Sequence, residues 1–246
     1  HPPERFDMKI TILGTGDTVG TPRVGCDCPV CTGAVKDGKS RLRTSFLVEN
    51  EGKSVLIDTS PDLKEQLIRA GAPHIDAVLW THAHYDHIAG FNEFYRVQDF
   101  PPAYAPEKVM DDISGFFHFL RFKRNIVEPY KPFTLFGMEF EFVRVNHPPI
   151  DTFGIVIRYM GRKVGYTSDT NPDLPPETMK ELFGCDLLFL DALMPADVHI
   201  GKHMNVAEAC DLARKLSPKE YYYVHMSHRI PMSHPGAGRD FMTFDL

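Results

Sequence analysis

The chain has 246 residues, 43% of them apolar, with 27 Lys and Arg against 33 Asp and Glu and a formal net charge of −6. That apolar fraction is enough for a buried core, and the acidic balance speaks against a dedicated nucleic-acid binder, which carries a basic face. No apolar run approaches the roughly 20 residues of a membrane span, and no signal peptide is read.

The first seven residues, HPPERFD, precede Met8 and a strand-like run. They are expected to be a tag remnant or a frayed end, leaving one domain over residues 8–246. MKITILG reads as a strand. The glycines that follow, in GTGDTVG, are spaced G-x-G-x-x-x-G, with Pro22 and cysteines where a helix should begin. This is no dinucleotide fingerprint, and without G-K-[ST] it is no P-loop. Residues 44–49 and 54–58 read as strands joined by a turn at Glu51 and Gly52. SPDLKEQLIRAG predicts a helix with Ser60 as N-cap, Pro61 at N1 and Gly71 at the C-terminal cap. Residues 76–80 form a buried strand by their continuous apolar character. Between residues 107 and 133, Ile113, Phe116, Phe117 and Leu120 share helical spacing and face a core. Phe119 and Phe122 fall off that face beside Arg121, Lys123 and Arg124, which suits a solvated basic side, a lid or a dimer contact. Later strands are expected over 138–145, 153–159 and 162–169, then in CDLLFLDA and EYYYVH. NVAEACDLARKL is a helix with Asn205 as N-cap and Glu208 completing a capping box. Strands and helices mix, with hairpins in both halves, which predicts an α/β fold of two packed sheets covered by helices.

The chemistry concentrates in WTHAHYDHIAGF. His82 and His84, at i and i+2 after a strand, can reach one cation; Asp86 and His87, on the following turn, can reach a second. Three imidazoles and a carboxylate suit zinc, iron or manganese and do not suit calcium. One turn cannot surround two ions, so other strand ends must contribute. His147, Asp169 and His225 each follow an apolar strand, and a carboxylate such as Asp169 can bridge two metals. Five cysteines, three of them clustered at Cys26, Cys28 and Cys31, make a poor disulfide framework. They read as a reduced, cytoplasmic protein with a thiolate metal site one ligand short of tetrahedral.

H-x-H-x-D-H with a later His, an Asp in TSDT and a final His resembles the metallo-β-lactamase superfamily over most of the chain. The resemblance implies a four-layer αββα sandwich with a dinuclear site at one edge of the sheets. It implies His82, His84 and His147 around one metal, Asp86, His87 and His225 around the other, and Asp169 between them. Asp58, in LIDTS, matches the family's first motif as a supporting residue. C-x-C-x₂-C with a late His is similar to the phosphoribosyl cyclic phosphate phosphodiesterase branch, which implies a structural zinc on Cys26, Cys28, Cys31 and His228. His203, in GKHMN before a helix, sits where phosphodiesterase branches carry a histidine that acts on the phosphate or leaving oxygen; here Lys202 is inserted. The implied activity is a metal-dependent hydrolase, with a hydroxide between two Zn or Mn ions (Fe being compatible) attacking a small, possibly cyclic, phosphodiester. Asp86, Asp169 and His203 would be its catalytic residues. The alternatives are a tRNA 3′-processing-type endonuclease, a thioester or lactone hydrolase, and an accessory protein of cofactor biosynthesis.

Overall fold

The computed structural model describes residues 8–246; the expectation for HPPERFD lies outside the described residues. Two mixed sheets face each other. The first has the order β13 (Thr243–Asp245), β1 (Met8–Gly14), β2 (Ser45–Asn50), β3 (Lys53–Ile57), β4 (Ala77–Leu79), β5 (Ala103–Ala105), β6 (Arg124–Ile126). The second has the order β12 (Glu220–Val224), β11 (Leu187–Asp191), β10 (Arg162–Tyr166), β9 (Phe153–Tyr159), β8 (Met138–Arg144), β7 (Phe133–Leu135). Helices α2 (Leu63–Arg69) and α4 (Glu107–Phe116) pack on the first sheet, and α5 (Pro176–Leu182) and α6 (Val206–Leu216) on the second. This is the αββα sandwich.

Alternation along β11 shows why its run is wholly apolar. Leu187 and Phe189 enter the core between the sheets, while Leu188 and Leu190 pack under α6 with Leu212 and Leu216. A strand covered on both faces has no solvent side to mark in sequence. The β2–β3 turn needs left-handed backbone at Glu51 (φ 48°) and Gly52 (φ 76°), as the Glu-Gly pair suggested. The capping box on α6 is present, with Asn205 Oδ1 accepting from the Glu208 N–H and Glu208 Oε2 from the Asn205 N–H, each at 2.9 Å.

Two local readings change. Helix α2 runs from Leu63 to Arg69 with Asp62 as N-cap and Ala70 as C-cap, in place of Ser60 and Gly71. Ser60 Oγ is already engaged, accepting from the Asp62 N–H and donating to Gln66 Oε1. Phe116 is exposed because α4 stops there, while Phe122 turns inward against Trp80 and Phe91. The cysteine cluster also starts a helix, α1 (Pro29–Asp37), whose N-cap is Cys28. Among the described residues no helix is long and apolar enough to cross a membrane.

Candidate metal centre

The strands end on one edge of the sandwich, and their C-terminal loops converge there. After β4 come His82 and His84, then α3 (Tyr85–Ile88) carrying Asp86 and His87. His147 follows β8, Asp169 follows β10, Asp191 ends β11 and His225 follows β12. Both sheets therefore supply the site. The turn Ala89–Phe94 locks this cluster to the loop after β3. Thr59 N–H donates to His87 O at 2.8 Å and Gly90 N–H to Thr59 O at 3.0 Å. A Cβ on Gly90 would lie 1.9 Å from Ser60 O, so only glycine permits that approach.

Asp169 is at the middle. Its Oδ2 lies 3.4 Å from His82 Nε2, 3.8 Å from His147 Nε2 and 3.3 Å from His225 Nε2; its Oδ1 lies 3.4 Å from His87 Nε2. Asp86 Oδ2 lies 3.2 Å from His225 Nε2 and 3.3 Å from His87 Nε2. His84 Nδ1 faces His147 Nε2 at 3.1 Å. Two groups of donors result, His82, His84, His147 and Asp169, and Asp86, His87, Asp169 and His225. Within each, the donor atoms lie within 4.8 Å of one another.

The outer partners aim these rings. Asp58 Oδ2 is 2.6 Å from His87 Nδ1, and its carboxylate also accepts from the Thr81 N–H and hydroxyl at 2.8 Å. Lys202 O holds His147 Nδ1 at 2.9 Å, so the lysine inserted before His203 has a use. The His225 N–H donates to Thr44 Oγ at 3.1 Å. The donor chemistry fits divalent cations on a direct observation. His82 Nε2, His87 Nε2 and Asp169 Oδ1 are buried, point inward and have no hydrogen-bond partner among the described residues, which is costly unless something else binds them.

Electrostatics agree. Burial pushes His82 down to about 3 and His147 down to about 4, leaving neutral imidazoles, the form a metal requires. At His225 burial works the same way, but the carboxylates of Asp169, Asp86 and Asp191 outweigh it and raise the ring to about 10. Four buried carboxylates, Asp58, Asp86, Asp169 and Asp191, thus demand positive charge in this small volume.

His203 lies over this centre. Its ring stacks on His225 at 5.2 Å and meets His147 at 4.6 Å, and its Nδ1 is 2.7 Å from Asp191 Oδ2. Asp191 was not singled out from the sequence. Its signal was present all the same, a carboxylate ending an apolar strand, as His147, Asp169 and His225 follow theirs. Burial opposes protonation of His203, yet the Asp191 charge raises its pKa above the usual value.

The three sulfurs of Cys26, Cys28 and Cys31 surround His228 Nδ1 at 3.4, 3.5 and 3.5 Å. The Cys31 N–H and His228 bring the Cys28 thiol down to about 6, while burial raises Cys31 to about 11. This cluster joins α1 to the segment just after His225.

A family model described as beta-lactamase superfamily domain matches residues 53–226. The chain belongs to the metallo-β-lactamase superfamily. Members of that superfamily bind divalent metals, and the two donor groups described above fit such ions. The structure is similar to that of a diphosphatase from the PhnP family, at 32% identity and a TM-score of 0.86, covering 97% of this chain and 98% of that one. It is also similar to Zn²⁺-bound PqqB from Methylobacterium extorquens, at 20% identity and a TM-score of 0.84, covering 97% and 100%; that likeness shows the fold. An octanoyltransferase from Porphyromonas gingivalis is 31% identical over 239 residues, 92% of this chain and 47% of that protein. The chain spans less than half the length of the curated relatives it matches.

Proposed function

We propose that the chain hydrolyses the P–O bond of a small phosphodiester or diphosphate in the cytoplasm, with two divalent metals, Zn or Mn and compatibly Fe. The observation that carries the reading is the Asp191–His203 pair set over His225 and His147. An alkoxide leaving from phosphorus needs a proton, and this pair is placed to hold one.

His82, His84 and His147 would hold one cation and Asp86, His87 and His225 the other, with Asp169 between them. Bound cations would supply Lewis acidity toward a phosphoryl oxygen and would lower the pKa of the attacking water. Asp58 fixes His87 so that its Nε2 points inward, and Lys202 O does the same for His147. Asp191 takes the Nδ1 proton of His203 in a hydrogen bond, so the other ring nitrogen, Nε2, is the atom that hands a proton to the leaving oxygen. A cavity of about 590 Å³ opens beside His147, lined by Arg144, Asn146, Asp151, Thr152 and Asp173 among others. That volume suits a small substrate, and Arg144 offers a cation to its phosphate or diphosphate. A larger cavity of about 990 Å³, lined by His74, Arg96, Arg121 and Lys123 among others, contains none of the centre's residues and is not the substrate site. Cys26, Cys28, Cys31 and His228 would hold a structural zinc. Residues 8–246 would act as one domain, since both sheets feed one centre.

The test compares leaving groups. His203→Ala should cost about 10²-fold or more on an alkyl phosphodiester. It should cost little on bis(p-nitrophenyl) phosphate, whose phenolate leaves unaided. Asp169→Ala should abolish both. Metal-replete protein that cleaves neither substrate would sink the reading. A second reading, hydrolysis of an acyl thioester, is favoured by the Porphyromonas gingivalis relative. Turnover of octanoyl thioesters without phosphodiester turnover would establish it instead.

A further inference from the structure

The first sheet ends at β6, which among the described residues has a strand on one side only. Its pairing with β5 decides which backbone groups are free. The Ala103 N–H donates to Lys123 O at 2.9 Å and the Val127 N–H to Ala105 O at 3.1 Å. Residues 123, 125 and 127 therefore turn their amides inward, and the amides of Arg124 and Ile126 face outward by alternation. An open edge of this kind is a template for another strand unless it is covered or blocked.

Exposed apolar side chains stand on the edge strand and on the helix beside it. Ile126 is 52% exposed on the edge itself. Helix α4 lies over β6, tied to it by Arg124 Nε donating to Ser114 Oγ at 2.9 Å. At and just past its C-terminus stand Phe116 and Phe119, 61% and 66% exposed. Three exposed large apolar side chains thus stand on β6 and on the end of the helix packed against it.

The strand is also complementary to itself. Its sequence continues R-N-I-V-E from Arg124 to Glu128, and Glu128 precedes Pro129, which favours extended backbone. Laid antiparallel against a second copy with Ile126 opposite Ile126, Arg124 falls opposite Glu128 of the partner subunit. Both residues of each such pair have outward amides, as an antiparallel hydrogen-bonded pair requires. The two-fold axis repeats the pair, so one register makes two cross-strand ion pairs around an apolar centre. Among the described residues the Glu128 carboxylate meets only Lys131 Nζ, at 3.3 Å on the open surface, so that side chain is available.

We propose that the chain forms a two-fold dimer through β6, joining the first sheets of two copies edge to edge, with Phe116 and Phe119 packing across the seam. A strand this short supplies too little area for a stable interface of about 800 Å² per partner, which is why the aromatics belong to it. Of the two residues whose position in sequence suggested such a contact, Phe119 fits the role and Phe122, packed on Trp80, does not.

Sedimentation equilibrium of the full chain tests this. The expected species has twice the 27.9 kDa chain mass. Because each substitution acts twice in a symmetric interface, Arg124→Glu or Glu128→Arg alone should weaken dimerisation by about tenfold or more. The double variant Arg124→Glu/Glu128→Arg restores the pair with reversed sign and should dimerise again. Ile126→Asp should be monomeric with an unchanged far-ultraviolet spectrum. A monomeric wild-type chain, or single variants as dimeric as wild type, would overturn the proposal. So would a folded double variant that stays monomeric.

Discussion

Asp58, Ser168 and His225 hold φ of 61°, 56° and 57°, a left-handed conformation that costs a non-glycine residue energy. Each stands just after a strand that delivers the centre, and the kink swings the next side chain, or its own, off the sheet and into the site. Asp58 shows what the conformation secures. Its carboxylate holds Thr81 and His87 together, spanning the β3 and β4 ends. Asp58→Asn keeps the shape but removes the charge that faces His87 Nδ1. The expected result is a drop of about 10- to 100-fold in affinity at the Asp86, His87, His225 position, read by chelator competition. The other position, on His82, His84 and His147, should change little, and equal loss at both would refute the role given to Asp58. Side-chain identity made His225 legible in sequence, because few proteins need so many imidazoles after apolar strands; Asp58 came from the family resemblance, and Ser168 was not singled out. The backbone kinks were not legible, since Asp, Ser and His carry no glycine-like mark.

At the level of elements, the segment after β12 is held by contacts that no spacing rule reveals. Arg41 is buried, and its guanidinium donates to Ser227 O, Ile230 O and Pro231 O at 3.0, 2.7 and 2.8 Å. Those carbonyls flank His228. Arg41→Met would remove three hydrogen bonds from a charged donor, while Ser227 O and Pro231 O keep the Ile230 and His234 N–H groups; the expected loss is about 3 kcal/mol at roughly 1 kcal/mol per bond, measurable in a urea melt. Hydrogen exchange in residues 225–231 should rise with it. Cys28→Ala should release one metal per chain and leave the centre at Asp169 filled; unchanged stoichiometry would remove the thiolate site. Asp240 ties three segments, accepting from the Thr15 and Leu42 N–H groups and the Thr15 and Ser40 hydroxyls. Burial outweighs these bonds and raises its pKa from 3.8 to about 6. The folded chain thus binds this proton more tightly than the unfolded chain. The stability it adds is full below the unfolded pKa and is lost as pH rises through about 6. Relative to Asp240→Asn, the wild type should lose on the order of 3 kcal/mol across that interval; parallel stability curves would refute it. Long strands and the α6 capping box were legible because period and caps are local. The three-residue strands β5, β6, β7 and β13 were not, because the neighbours that make them strands lie far away in the chain.

For the molecule as a whole, the layered architecture followed from mixed strands and helices, and the resemblance of the histidine motif supplied its name. The edge at β6 did not follow, since an edge exists only relative to a finished sheet. The same dependence on the finished fold governs when the protein becomes competent. His82 to His87 are made early, whereas His225 and His228 come 138 and more residues after His87. At about 5–20 residues per second, that gap is roughly 7–28 s of synthesis. Until it closes, a nascent chain presents a partial nest of imidazoles and three cysteine sulfurs, and neither cluster is complete. With the ligand sets proposed above, metal loading would be an event of late translation or afterwards. On that proposal, a cell short of the metal would accumulate chains that are fully made yet still waiting for their ions.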